Sequence, residues 1–360
     1  AGDPSRIHAE GMRARTALEE ARAQLAGLVG ARSREVVFTS GATEAITAAV
    51  WGAVRRSVEL GHRPHVVLAA VEHSAVRQAS TAFAEAFDGS VTVVGVDRLG
   101  RIDVDEVAEV VRPDTALVHV QWGNHEVPTL QPVDAVVALA NERGVLVHVD
   151  AAQAVGRVPV DFGAVGADLL SLSGPKFGAP PGSGALLVRR GLRLAPLLVG
   201  GDQERARRAG LENLPAVLGL GAVAAALGGT GPDGEGRLSA EERAARALTD
   251  RLLAGLARTD GVEVLGEPGA DGRLPHLVCV AIDGVEPQGV LLGLDQAGIA
   301  AHAGSACASA SLEPSPVLDA MGVDAHRSLR LSVGWDSTDA DVDAVLAAVP
   351  TVVERLRALA

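Results

Sequence analysis

The feature that most constrains this chain is an alternation. Seven short β-prone runs recur: "EVVFTS" (35–40), "HVVLAAVEH" (65–73), "VTVVGV" (91–96), "TALVHVQW" (115–122), "VLVHVDAA" (145–152), "DLLSLS" (168–173) and "GALLVRR" (184–190). Several are apolar on successive residues rather than on every second one, the pattern of strands covered on both faces. Helix-like stretches separate many of them, including 43–58 and "QPVDAVVALANERG" (131–144), the second with Pro132 near its start. Repeated strand, helix, strand predicts an α/β domain on a mostly parallel seven-stranded sheet flanked by helices. Ahead of it, 7–30 has helical periodicity, with Gly30 as its stop.

The alternation ends near residue 228, where "GGTGPDGEG" (228–236) reads as a linker. Beyond it, helices near 238–257 and 339–359 and strands near "HLVCVAI" (276–282) and "SLRLSVG" (328–334) predict a smaller α+β domain. The most apolar stretch, "LPAVLGLGAVAAALGG" (214–229), is short and rich in Ala and Gly, a buried or interface helix rather than a membrane span. The opening "AGDPSRIHAEG" lacks the basic-then-apolar pattern of a signal peptide. A formal net charge of −13, with arginines scattered along the chain, argues against nucleic acid or an anionic membrane as partner. Two cysteines 28 positions apart give neither metal-ligand spacing nor a disulfide framework. A reducing cytoplasm is the expected compartment.

Ligands of open α/β sheets sit at the carboxyl ends of the strands. That is where the chemically distinctive residues fall: Thr43, His73, Asn124, Asp150, Gln153 and Lys176. Lys176 is the only lysine beside 31 arginines, and it lies in a loop of Gly, Pro and Ser, "LSLSGPKFGAPPG" (170–182). Lysine can lose its proton when desolvated, whereas arginine keeps its own. Only a free amine condenses with a carbonyl to form a Schiff base. Compositional drift toward arginine is the plain alternative. Asp150 ends a strand, as a helix cap or as the carboxylate that holds a pyridine nitrogen protonated. "TSGATEA" (39–45) runs from strand to helix through Gly41. There the backbone N–H groups of the helix start, with the Thr43 hydroxyl, form either a phosphate site or an ordinary cap. His73 offers a flat imidazole in a chain without tyrosine, and it can move protons near neutral pH.

Together these segments resemble the cysteine desulfurases, pyridoxal-phosphate enzymes of the class V aminotransferase group. "FTSGATEA", "VEHSAV", "HVDAAQAVGRVPVDF", "DLLSLSGPKFGAPPGSGALLVRRG", "GGDQERARRAGLENLP" and "GSACASASLEP" occur in that family's order over nearly the whole chain. The resemblance implies a fold type I transferase. Its large cofactor-binding domain would span 15–228, and a small α+β domain would combine 1–14 with 237–360 and carry the cysteine loop. It implies pyridoxal 5'-phosphate as cofactor, with Lys176 as the Schiff-base lysine. Asp150 would face the pyridine nitrogen, Gln153 the phenolic oxygen, and His73 would stack on the ring and shuttle protons. Gly41, Ala42, Thr43 and Ser173 would hold the phosphate. Asn124 would serve cofactor and substrate, and Arg330 would grip the substrate carboxylate, a task that suits a two-pronged guanidinium.

Cys307 decides the reaction. It sits among small residues in "HAGSACASASLEPS" (302–315), whereas Cys279 lies in an apolar run. By the resemblance, Cys307 takes sulfur from L-cysteine as a persulfide, leaves L-alanine, and passes the sulfur to an acceptor protein or small thiol. The attacking form is the thiolate. A homodimer is implied, since the 200–213 loop faces the other subunit's cofactor in relatives. A selenocysteine lyase or other β-lyase on the same fold, or a non-catalytic scaffold, are the competing readings.

Some positions depart from the family's pattern. Pro175 replaces a phosphate-contacting histidine, Leu211 a threonine, Ala209 a serine, Pro128 a glycine and His125 an asparagine. The chain also begins where relatives have completed an N-terminal arm. Each charge-assisted hydrogen bond lost from the phosphate weakens binding by roughly 1.5–3 kcal/mol, so weak cofactor retention is expected.

Overall fold

The structure is a computed structural model that describes residues 2–231, 234–303 and 315–359. The chain divides into two compact units. One comprises Ala1–Val94, Asp103–Trp122 and Gln131–Ser239; the other comprises Gly95–Ile102, Gly123–Leu130 and Ala240–Ala360.

In the first unit the seven β-prone runs form one sheet. Its strands are β1 (Val36–Thr39), β2 (His65–Ala69), β3 (Ser90–Val94), β4 (Thr115–Gln121), β5 (Val147–Asp150), β6 (Leu169–Ser173) and β7 (Gly184–Val188). The order is β1-β7-β6-β5-β4-β2-β3. The pairs β6/β5, β5/β4, β4/β2 and β2/β3 are parallel, and β7 is antiparallel to both β6 and β1. Two reversals return β1 to the direction of β6, so its carboxyl end shares an edge with those of the parallel strands. β1, β2, β4, β5 and β7 are buried at every position, which accounts for their unbroken apolar runs. β3, on the sheet's edge, leaves Val93 exposed.

Helix α1 (Ala9–Leu28) precedes the sheet, α2 (Ala42–Glu59) follows β1 and α3 (Ser74–Glu85) follows β2. α2 buries Ala45, Ile46, Ala49, Val50, Ala53 and Val54 against Val37, Leu68, Leu117 and Leu186 of the sheet. Each large aliphatic side chain so removed from water contributes about 1.5–3 kcal/mol. The Ala/Gly-rich stretch is a helix, Leu214–Gly228, packed on α1. A Cβ at Gly221 would fall 2.6 Å from Ala21 Cβ, so glycine lets the two backbones approach. No helix among the described residues is long and apolar enough to cross a membrane.

The second unit has a three-stranded antiparallel sheet in the order β10-β9-β8, formed by β8 (Val262–Leu265), β9 (Leu277–Ile282) and β10 (Ser328–Ser332). Its core joins Val278, Val280, Leu329 and Leu331 of the sheet to Leu252, Val290, Val349 and Val353 of helices. β8 has four residues with Glu263 among them, too short and too polar to stand out as a periodic run.

Candidate active site

Eight of the residues singled out above lie in the first unit, and all eight stand at or just past the carboxyl ends of β1, β2, β5 or β6. At β1, Gly41 (φ 158°) is the N-cap of α2 and makes no side-chain capping hydrogen bond. Thr43 therefore stands inside the first turn, exposed, and is not the cap. A Cβ built on Gly41 meets nothing within 4 Å, so open space lies before this helix start. The loop is brought there by Gly184 of β7, where a Cβ would sit 2.5 Å from Gly41 Cα. Uncapped N–H groups and the positive end of the helix dipole make Gly41, Ala42 and Thr43 a seat for an anion. Glu44, one residue on, is partly buried, which raises its pKa. The Arg208 guanidinium at 2.8 Å and the Ser40 N–H at 2.8 Å outweigh that and hold its carboxyl below the usual value.

β2 ends at Ala69, earlier than its apolar run predicts, because the Glu72 N–H turns back to the Ala69 carbonyl. His73 then caps α3: its Nδ1 accepts the Ala75 N–H at 3.1 Å. With Nδ1 accepting, the ring's own N–H is at Nε2. Glu72 beside it is fully buried. Its Oε1 accepts the Gln121 N–H at 2.8 Å, and burial followed by the nearby Asp150 charge pushes its pKa up to about 8.

Gln121 of β4 is the register partner of Asp150 of β5, which in turn pairs with Ser171 of β6. Asp150 is 7% exposed, and its Oδ1 accepts from the Ala152 N–H at 3.0 Å and the Ser171 hydroxyl at 3.1 Å. These donors fix the carboxyl at the strand end. It is thus both a turn cap and an oriented carboxylate.

After Ser173, the last residue of β6, a 3₁₀ turn (Gly174–Phe177) presents Lys176 on the exposed side. Pro175 is the second residue of this turn, where a proline's fixed φ suits it. Its partner Phe177 is buried against Gly156, where a Cβ would come within 2.4 Å of the ring's own Cβ. The Arg157 guanidinium donates to the Lys176 carbonyl at 2.8 Å. Gln153 lies in the turn between Asp150 and Gly156, so the lysine's backbone is clamped to the segment that carries Gln153.

In the second unit, Asn124 is fully buried, and its Oδ1 accepts the Glu126 N–H at 2.7 Å and the Val127 N–H at 3.0 Å. Arg330 sits mid-strand in β10 and donates to the His125 carbonyl at 2.7 Å. Cys279 is buried, and burial pushes its thiol up to about 12, an inert core residue. Cys307 lies outside the described residues. Leu211 is exposed and Ala209 buried; neither carries a side-chain donor.

Sequence reasoning missed Glu72, the Glu44–Arg208 pair and the Arg157 clamp. Glu72 had a signal, a carboxylate inside the apolar run "VVLAAVEH", though its neighbour His73 drew the reading.

Chemically, the first unit can seat an anion at a helix start, hold a protonated ring nitrogen against a carboxylate, and offer a primary amine. Among the described residues there is no His/Cys/Asp/Glu cluster suited to a metal ion.

The whole chain is similar to known proteins. The family model for Aminotransferase class-V matches residues 1–345. A cysteine desulfurase of Gluconacetobacter diazotrophicus is 44% identical over 362 residues, 99% of this chain and 87% of that protein. Among solved structures, a NifS-like protein superposes with a TM-score of 0.88 at 29% identity, over 99% of this chain and 92% of its own. The protein SspA, in complex with cysteine, superposes with a TM-score of 0.78 at 28% identity, covering 94% and 92%. The chain belongs to the class V aminotransferase family and, within it, to the cysteine desulfurases.

Proposed function

We propose that this chain is a pyridoxal-phosphate-dependent cysteine desulfurase in which Cys307 carries the sulfur taken from L-cysteine. The observation that carries the reading is one sheet edge holding the uncapped helix start at Gly41, the oriented Asp150 carboxylate and Lys176. Those groups fit pyridoxal phosphate in charge and type. Its phosphate suits the N–H groups of Gly41–Thr43 with Ser173, its pyridine nitrogen suits Asp150, its phenolic oxygen suits Gln153, and its aldehyde suits the Lys176 amine. When bound, the cofactor supplies an electron sink for the substrate's α-carbon.

The chain's own residues supply the rest. Asp150 keeps a proton on the ring nitrogen by charge, and His73 covers the ring with its Nε2–H available for transfer. Lys176, as a free amine, takes the α-proton of L-cysteine. Arg330 and Asn124 orient the substrate carboxylate. Cys307 attacks as a thiolate: its sulfur bonds to the substrate sulfur, the substrate's carbon–sulfur bond breaks, and the electron pair stays with the carbon skeleton. That skeleton takes up protons and leaves as L-alanine, while Cys307 keeps the persulfide for an acceptor protein or small thiol. A homodimer in the cytoplasm is part of this reading, since the exposed Leu198, Val199 and Leu211 lie in and beside the 200–213 loop.

The test is alanine release from L-cysteine by the wild type and Cys307→Ser, with a thiol reductant as acceptor. Loss of at least a hundredfold in the variant, with cofactor absorbance retained, supports the reading. Undiminished alanine from Cys307→Ser with selenocysteine but not cysteine would move the chain to the selenocysteine lyases.

A further inference from the structure

We propose that Glu72 is a positioning residue of the cofactor bed, a buried neutral carboxylic acid whose proton on Oε2 leaves the Glu72–Asp150 pair with a single negative charge. Glu72 is 0% exposed. Its Oε1 is occupied by the Gln121 N–H, while Oε2 is buried with no hydrogen-bond partner among the described residues. No described cation forms an ion pair with it. An ionised carboxylate in that setting would bear several kcal/mol of uncompensated desolvation, so it takes a proton instead. The backbone places it there: Glu72 follows β2, Gln121 ends the adjacent β4, and Asp150 ends the next strand, β5.

Three groups set its charge. Asp150 on β5 opposes ionisation, whereas Arg77 on α3 and the Gln121 N–H on β4 favour it; burial is the largest influence and opposes it, so the carboxyl titrates near 8. His73, its sequence neighbour, faces the Ala75 N–H with its Nδ1. The consequence for the site rests on the cofactor reading above. With Glu72 neutral, Asp150 alone supplies the charge that faces the ring nitrogen, and a second carboxylate does not compete for that proton.

The experiment uses cofactor-free protein, so its outcome does not depend on whether pyridoxal phosphate binds. An ordinary glutamate titrates near 4.5, and this one near 8 in the folded chain. The folded state therefore holds one more proton between those values, and stability falls with rising pH across that window. Against Glu72→Gln, which mimics the neutral acid and cannot ionise, the wild type should lose close to tenfold in folding equilibrium constant per pH unit from about 5 to 8, then level off. Infrared spectra in heavy water should show a protonated-carboxyl C=O band at pH 7 that titrates near pH 8 and is missing in Glu72→Gln. If the variant does not fold, titration of that band in the wild type alone decides. A pH-independent stability difference, or no protonated carboxyl at pH 7, overturns the proposal.

Discussion

Two buried ionisable clusters of the first unit meet the same physical demand in opposite ways. Arg22 of α1 is 2% exposed and forms a two-pronged ion pair with Glu204, at 2.7 Å on both guanidinium nitrogens. The Phe38 N–H donates to Glu204 at 2.9 Å, Arg22 donates to the Val36 carbonyl, and its guanidinium stacks 4.5 Å over the Phe38 ring. Charge is kept by satisfying it completely. At the middle of the sheet, His119 and His148 are paired across β4 and β5 with Nδ1 atoms 2.9 Å apart. Burial pushes His148 down to about 3 and His119 well below the ordinary imidazole value, so both are neutral. Glu72 is handled in the same fashion. Charge is kept where Arg22 and Glu204 satisfy one another and absent where burial holds both imidazoles neutral; on the proposed reading, Asp150 and Lys176 are the groups left for a cofactor to complete.

The comparison breaks most visibly at Glu204. Glu204→Ala leaves Arg22 buried without its counter-ion and Phe38 without its acceptor, and should cost about 3–5 kcal/mol in denaturant unfolding. The double variant Arg22→Met/Glu204→Leu should recover most of that loss. A single-variant cost below about 1 kcal/mol would show that the pair is not the buried charge described.

The neutral cluster is sharpened by acid. A histidine whose folded pKa is depressed contributes stability above its unfolded value near 6.5, and that stability is lost as pH falls toward the folded value. His148 should lose about 2 kcal/mol by pH 5, and His119→Gln should make the fall between pH 7 and 5 shallower. Unfolding midpoints between pH 7 and 5 measure it, and equal slopes in the two proteins would contradict it.

A smaller effect is expected where the anion seat meets the sheet. Gly184→Ala pushes a methyl group to 2.5 Å from Gly41 Cα, so the helix start must shift. About 1–3 kcal/mol of stability should be lost, with weaker pyridoxal-phosphate binding in equilibrium titration. Loss of stability with unchanged affinity would separate Gly41 from the phosphate.

How much of this was legible depends on whether the signal is local. The seven strands are visible because each is a contiguous run buried on both faces, and Gly41, Asp150 and Lys176 mark strand ends by themselves. His73 as a cap was not legible, since histidine is not among the usual capping residues and its Nδ1 serves here in place of a hydroxyl or carboxylate. Glu72 needed Gln121, 49 residues away, before its burial had meaning. The same holds for Glu204, which meets Arg22 across 182 residues of chain. Pro175, read from the sequence as a lost phosphate contact, also has a local role: it lies near the start of the turn that presents Lys176. Contacts that span the chain carry no trace in periodicity or composition.

The central claim is that Lys176 remains a lysine because its amine must bond the cofactor's aldehyde. The most direct test is the visible absorbance of the purified protein titrated with pyridoxal phosphate, beside Lys176→Ala at equal concentration. The account predicts a saturable yellow band in the wild type, formed at higher cofactor concentration than a full set of phosphate contacts would need, and absent from the variant. Identical spectra for the two proteins, or no band at saturating cofactor, would contradict it.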